Sequence, residues 1–181
     1  MRQIALYVWC IIVGPIFGAE NGTKNLVTDL VKHWQTSKSL ALAVADAMPG
    51  EAYRPFKPSD SEWNFAGEMG GLALHSVLSC SLAFHTRAPE RFQSAFDRPM
   101  DISKAGTMEN LKVAYDYCID GLMQMNDSEL SDLAVISGHR ATIFDILWNT
   151  ISHVSYGLGR ADMYLRSKGI NPPDTGPKYE F

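Results

Sequence analysis

Five histidines, His33, His75, His85, His139 and His153, are the side chains of this 181-residue chain best suited to hold a metal ion or move a proton near neutral pH. An imidazole nitrogen ligates divalent zinc, nickel or manganese, and metal sites in helical bundles are assembled from inward side chains on facing helices. His75 and His153 are the two that the chain could bring face to face, so they are the candidate metal ligands. The competing reading for each is a helix histidine hydrogen-bonded within the core or at its rim. Glu68 precedes His75 by two turns on a similar face, but that is ~10 Å along the helix axis, far for a third donor. Asp162 follows His153 at a spacing that turns it to the other side of its helix. Other chemistries fail on spacing. The glycine-rich Gly67-Glu68-Met69-Gly70-Gly71 has no strand before it and no Lys-Ser/Thr after it, as a phosphate-binding loop requires. Cys10, Cys80 and Cys118 lie too far apart for a metal knuckle, and there is no Gly-x-Ser-x-Gly elbow. No residue is assigned a catalytic role.

The elements that must position these histidines are helices. Leu26, Val27, Leu30, Val31, Trp34, Ala41, Leu42, Ala45 and Met48 recur at three- and four-residue spacing, and Pro49-Gly50 stops the run. A loop from Glu51 to Ser61, with Pro55 and Pro58, leads into a second helix from Ser61 or Glu62 to Phe84. Serines and the acids Asp60 and Glu62 suit its N-terminus. A loop from Thr86 to Gly106 follows, with a short helical turn over Glu90 to Phe96. The third helix starts at Thr107 and runs to Met125, and one or two extra turns lie over Ser128 to Leu133. The last begins near Arg140 or Thr142 and carries Ile143, Leu147, Ile151, Val154, Leu158, Ala161 and Leu165 on one stripe. It ends at Lys168, with Gly169 and Pro172-Pro173 beyond. No β-alternation of useful length appears. The fold class is all-α: a four-helix bundle over residues 23–173 with loops too long for the simplest up-down arrangement, and a polar tail over 174–181. Trp63, Trp148 and Tyr156 read first as core, and as pocket lining if a cleft exists. Gly70-Gly71, Gly157 and Gly159 sit inside helices at ~1 kcal/mol each relative to Ala, which signals either close helix packing or a vacated site.

Residues 1–19 belong to no part of that bundle. Arg2, an apolar run from Ile4 to Phe17 and the small pair Gly18-Ala19 read as a secretory signal with cleavage expected after Ala19, the competing reading being an uncleaved N-terminal anchor. The run is short for a membrane span and holds Pro15, so no membrane anchor remains once it is cleaved. The mature protein is expected to be periplasmic or secreted. Cys80 and Cys118 would then meet an oxidising compartment. Both read as buried small hydrophobes, and a bridge requires their helices to lie side by side. A net charge of −4 gives no electrostatic reason for nucleic-acid binding.

Three blocks make the chain resemble the DinB/YfiT-like superfamily of four-helix bundles. Met48-Pro49-Gly50-Glu51-Ala52-Tyr53, continuing to Pro58, is similar to the loop after the family's first helix. Phe65-Ala66-Gly67-Glu68 resembles its Phe-Gly-Glu start of the second helix. Tyr164-Leu165-Arg166-Ser167-Lys168-Gly169-Ile170-Asn171-Pro172-Pro173 is similar to its closing Tyr-Leu-Arg-x-x-Gly-Ile-x-Pro-Pro. The resemblance implies a divalent metal held by one histidine on the second helix and two, four residues apart, on the last. It also implies kinship with metal-dependent hydrolases and thiol-dependent transferases. Carried over by position, the pair falls on His153 and Gly157, and Arg160 stands where glutamine is usual. The second-helix ligand falls on Gly71 or Leu72, one turn before His75. A degraded histidine triad is therefore expected. Two readings stay open: a metal-dependent enzyme rearranged around His75 and His153, and a non-catalytic bundle binding a small molecule or partner in its cleft. A homodimer is a further partner class, and an export signal argues against a cytosolic thiol cofactor.

Overall fold

A computed structural model describes residues 25–93, 100–136 and 138–174; the expected signal segment and all but the first residue of the tail lie outside the described residues. The long helices are α1 (Leu26–Ala47), α2 (Phe65–Ala83), α4 (Lys104–Met123) and α5 (Ile143–Ser167), with a single turn, α3 (Glu90–Gln93), before α4. Short 3-10 turns occupy Gly50–Ala52 and Glu129–Ser131. Around the bundle the order is α1, α4, α2, α5, with α5 closing on α1. The successive helices α1 and α2 therefore stand diagonally opposite, as do α4 and α5, and the long loops span those diagonals. None of the described helices is long and apolar enough to cross a membrane.

Each long helix starts on a side-chain cap. Asn25, Asn64, Ser103 and Thr142 accept from the amides of Thr28, Gly67, Gly106 and Asp145, filling donors that the first helical turn leaves free. The α2 start thus falls later than the serine- and acid-rich stretch suggests. The amides of Phe65 and Ala66 are held instead by the carbonyls of Phe56 and Tyr53, which ties the proline-bearing loop to the helix entrance. The start of α4 falls earlier than Thr107, at Ser103. Asp127, in the loop after α4, accepts from the amides of Leu26 and Val27 at 2.9 and 3.0 Å and so closes α1 from across the bundle.

The fold is not wholly helical. Leu133–Ile136 (β1) and His139–Thr142 (β2) form an antiparallel hairpin, paired from Leu133 with Thr142 to Ile136 with His139. Gly138 sits in the turn at φ +81°, a conformation glycine adopts freely. Four-residue strands show too little alternation to stand out beside strong helical periodicity. The core gathers Trp34, Tyr53, Phe65, Leu111, Tyr115, Leu122, Leu147 and Leu165, all fully buried or nearly so. Tyr53 meets Phe65 edge-on at 5.0 Å, and Trp34 meets Tyr115 at 5.8 Å. The Tyr115 hydroxyl is satisfied by Ser37 at 2.8 Å, and that of Tyr53 donates to the Ala45 carbonyl.

Cys80 and Cys118 are disulfide-bonded, with Cα atoms 5.6 Å apart. This corrects their reading as two buried small hydrophobes. The ring order places α2 against α4, and both cysteines point into that seam.

Candidate functional site

The α2–α5 seam opens into a cavity of about 650 Å3. His75 from α2 and His153 from α5 meet there, with ring centroids 4.2 Å apart. They are brought together because the seam aligns the middle of both helices. His75 Nε2 is buried and has no hydrogen-bond partner among the described residues. Burial pushes the His75 imidazole below its ordinary range, and the neighbouring His153 pushes it further, so it stays neutral at neutral pH. The other histidines lie elsewhere: His33 on α1, His85 in the turn after α2 and His139 on β2.

The glycines of this region resolve into packing contacts. A Cβ on Gly157 would lie 2.4 Å from a methyl of Leu72, so the leucine fills the place where a side chain at 157 would begin. The Trp63 ring lies over Gly71, where a Cβ would come within 3.3 Å of it. Gly70 faces Ile102 and Met100 at ordinary contact distance. Gly71 and Gly157 still line the cavity, together with the Leu72 and Trp63 side chains that pack on them.

Three charged side chains line the same cavity. The Arg160 guanidinium reaches Glu62 at 2.7 Å and Glu68 at 3.2 Å, joining α5 to the loop before α2 and to the first turn of α2. Burial raises the Glu68 carboxyl above the usual carboxylate range, and Arg160 draws it partly back. The Tyr164 hydroxyl donates to the Trp63 carbonyl at 2.7 Å and fixes that loop against α5. In the sequence Arg160 stands out only as a departure from an expected glutamine. Two acids on separate elements within reach of one arginine are visible only once α2 and α5 are neighbours.

Trp63, Tyr156 and Trp148 are not core. They are 65%, 67% and 53% exposed. Trp63 and Tyr156 flank the cavity, whereas Trp148 stacks on Phe144 outside it, with centroids 6.2 Å apart. Leu72, Leu74 and Leu78 supply the apolar wall.

A metal centre can be tested against this donor set. Among the described residues no three His, Cys, Asp or Glu side chains converge where they could hold an ion. The pair His75 and His153 provides two imidazoles, and Glu68, the nearest carboxylate along α2, is already paired with Arg160. A catalytic zinc takes three protein ligands and an open position. The residues present do not fit such a centre.

Asp162 faces away from the histidines, into a groove between α5 and α1 beside His33, Thr36, Ser37 and Ser155. Its Oδ1 is buried with no hydrogen-bond partner among the described residues. Burial raises its carboxyl, and Arg166 on the next turn partly lowers it again. The folded state therefore favours the protonated acid. That contribution is complete below the unfolded carboxyl's titration and is lost as pH rises through the raised folded value. Asp162→Asn is expected to add on the order of 1 kcal/mol of stability at neutral pH and almost nothing in acid. Thermal unfolding of both proteins across that range checks it, and an equal gain at every pH would contradict it.

No protein-family model and no curated protein matches this sequence. Solved structures do match in shape. One is a DinB-like protein from Bacillus cereus ATCC 10987, with TM-score 0.68 and 13% identity over 81% of this chain and 95% of that one. Another is a DinB-like protein from Bacillus subtilis, with TM-score 0.63 and 17% identity over 81% of this chain and 97% of that one. With its ring of four long helices and its cavity between α2 and α5, the chain carries the fold of the DinB-like proteins.

Proposed function

We propose that this chain is an exported, non-catalytic protein of DinB-like fold that binds a small molecule in the α2–α5 cleft, and that its three-histidine metal site has been lost. The observation that carries the reading is the contact of Leu72 with Gly157. Two positions where the resemblance implies ligands hold a leucine and a glycine packed against each other, while the cavity beside them keeps a volume typical of small-molecule sites. Its lining is mixed: leucines and two exposed aromatics, with a few polar groups to orient a ligand. Export is supported by the signal-like residues 1–19 and by the Cys80–Cys118 bond, since disulfides persist in oxidising compartments.

A second reading has its own support. His75 Nε2 lacks a partner and faces a second imidazole, an arrangement that two waters could complete into a weak site for zinc, nickel or manganese. Metal titration by calorimetry, with metal content of the purified mature protein, separates the two. The binding reading expects at most weak, substoichiometric metal. Near-stoichiometric metal that His75→Ala and His153→Ala each abolish would install the metal reading in its place. N-terminal sequencing of protein recovered outside the cytoplasm tests export, and an intact Met1 there refutes cleavage.

A further inference from the structure

We infer that the ligand of the α2–α5 cleft is an organic cation: an ammonium group on an apolar body, received by Glu68 and Glu62 and stacked against Trp63 and Tyr156. This rests on the cleft-binding reading and names the chemical class that the cleft selects.

The charge around the cavity is unbalanced. Among the described residues of the lining, Glu62 and Glu68 contribute two carboxylates and Arg160 one guanidinium, which leaves an excess of one negative charge. Arg160 pairs with both glutamates through one guanidinium nitrogen, which contacts Oε2 of each. A ligand carboxylate or phosphate reaching Arg160 would come up beside both glutamates, Glu68 among them nearly buried, and like charges brought together out of water repel. An ammonium meets the opposite situation. Each carboxylate can accept several hydrogen bonds, and the pairing with Arg160 runs through Oε2 of each. The unpartnered Nε2 of His75 adds a nitrogen deeper in the same cavity. A cation over the face of an exposed Trp or Tyr gains roughly 0.5–1 kcal/mol, and more once water is displaced. The leucines at 72, 74 and 78 take the apolar body.

Three probes with one shared phenyl body separate charge from shape: 2-phenylethylammonium, 2-phenylethanol and 3-phenylpropanoate. Binding is measured by calorimetry on the mature chain at neutral pH and low salt. The ammonium is expected to bind about tenfold tighter than the alcohol, equivalent to ~1.4 kcal/mol, and the carboxylate weakest. Glu68→Gln should erase the ammonium's advantage while leaving the alcohol's affinity in place. Glu62→Gln, on the exposed rim, gives the same test at a position with little bearing on folding and should reduce that advantage. Trp63→Ala should weaken the ammonium and the alcohol together. If the carboxylate binds as tightly as the ammonium, or if neither glutamine variant changes the ranking, the charge assignment is overturned and the cleft reading stands. If none of the three binds, both are overturned.

Discussion

Replacing Cys80 and Cys118 together by alanine lowers the stability of this protein by about 4 kcal/mol, because the bridge closes a long loop of the unfolded chain. The cysteines are 38 residues apart, and both are fully buried in the α2–α4 seam. Alanine keeps the seam apolar, so the loss reports chiefly the removed cross-link. In a domain of this size each kcal/mol moves the melting temperature by ~2–4 °C, which makes a fall of about 10 °C the expected reading in a thermal scan. Without reductant, the parent's intact mass should be short by two hydrogens. A parent mass showing two free thiols, or a double variant as stable as the parent, would remove the bridge and with it one support for export.

The second large effect concerns the packing of Leu72 on Gly157. Gly157→His alone is expected to destabilise by ~1–3 kcal/mol, since the new Cβ lands 2.4 Å from a leucine methyl and the core must shift to admit it. Leu72→His alone removes an apolar contact from the seam. The two substitutions together should cost less than the sum of the singles, because removing the Leu72 methyls opens the space that a side chain at 157 needs. The double variant should also gain what neither single has: near-stoichiometric zinc, with His153 as the third imidazole. Metal that binds only the folded state then adds ~2.7 kcal/mol at a hundredfold excess over its dissociation constant. Calorimetry and metal-dependent melting check both parts. Simple additivity with no gain in zinc would show that the leucine and glycine do not stand in for a ligand pair.

The helices were legible wherever an apolar stripe ran unbroken. The last stripe falls inside α5 and the first inside α1 except for Met48, its C-cap, and Pro49 and Gly169 mark stops within two residues of those helix ends. The entrance to α2 was not, because Asp60, Ser61 and Glu62 offer the same capping chemistry as Asn64, and only the bonds from Phe65 and Ala66 back to the loop decide between them. The hairpin escaped because strands of four residues carry little pattern. His75 and His153 could be singled out as a facing pair from helix periodicity, but their separation depends on α2 and α5 being neighbours. The same tertiary fact governs what was missed. Arg160 between Glu62 and Glu68, the exposure of Trp63 and Tyr156, and the bond between Cys80 and Cys118 are all consequences of ring order, which no local stretch of sequence encodes.

That ring order also bears on how the chain reaches its final shape during synthesis. Among the described helices α1 comes first in the chain; its neighbours are α4 and α5, and its opening amides are clamped by Asp127. Its two packing partners among the described helices are made only after α2 has followed it. Distant contacts of this kind slow compaction, so the nascent chain is expected to stay open for longer before it collapses.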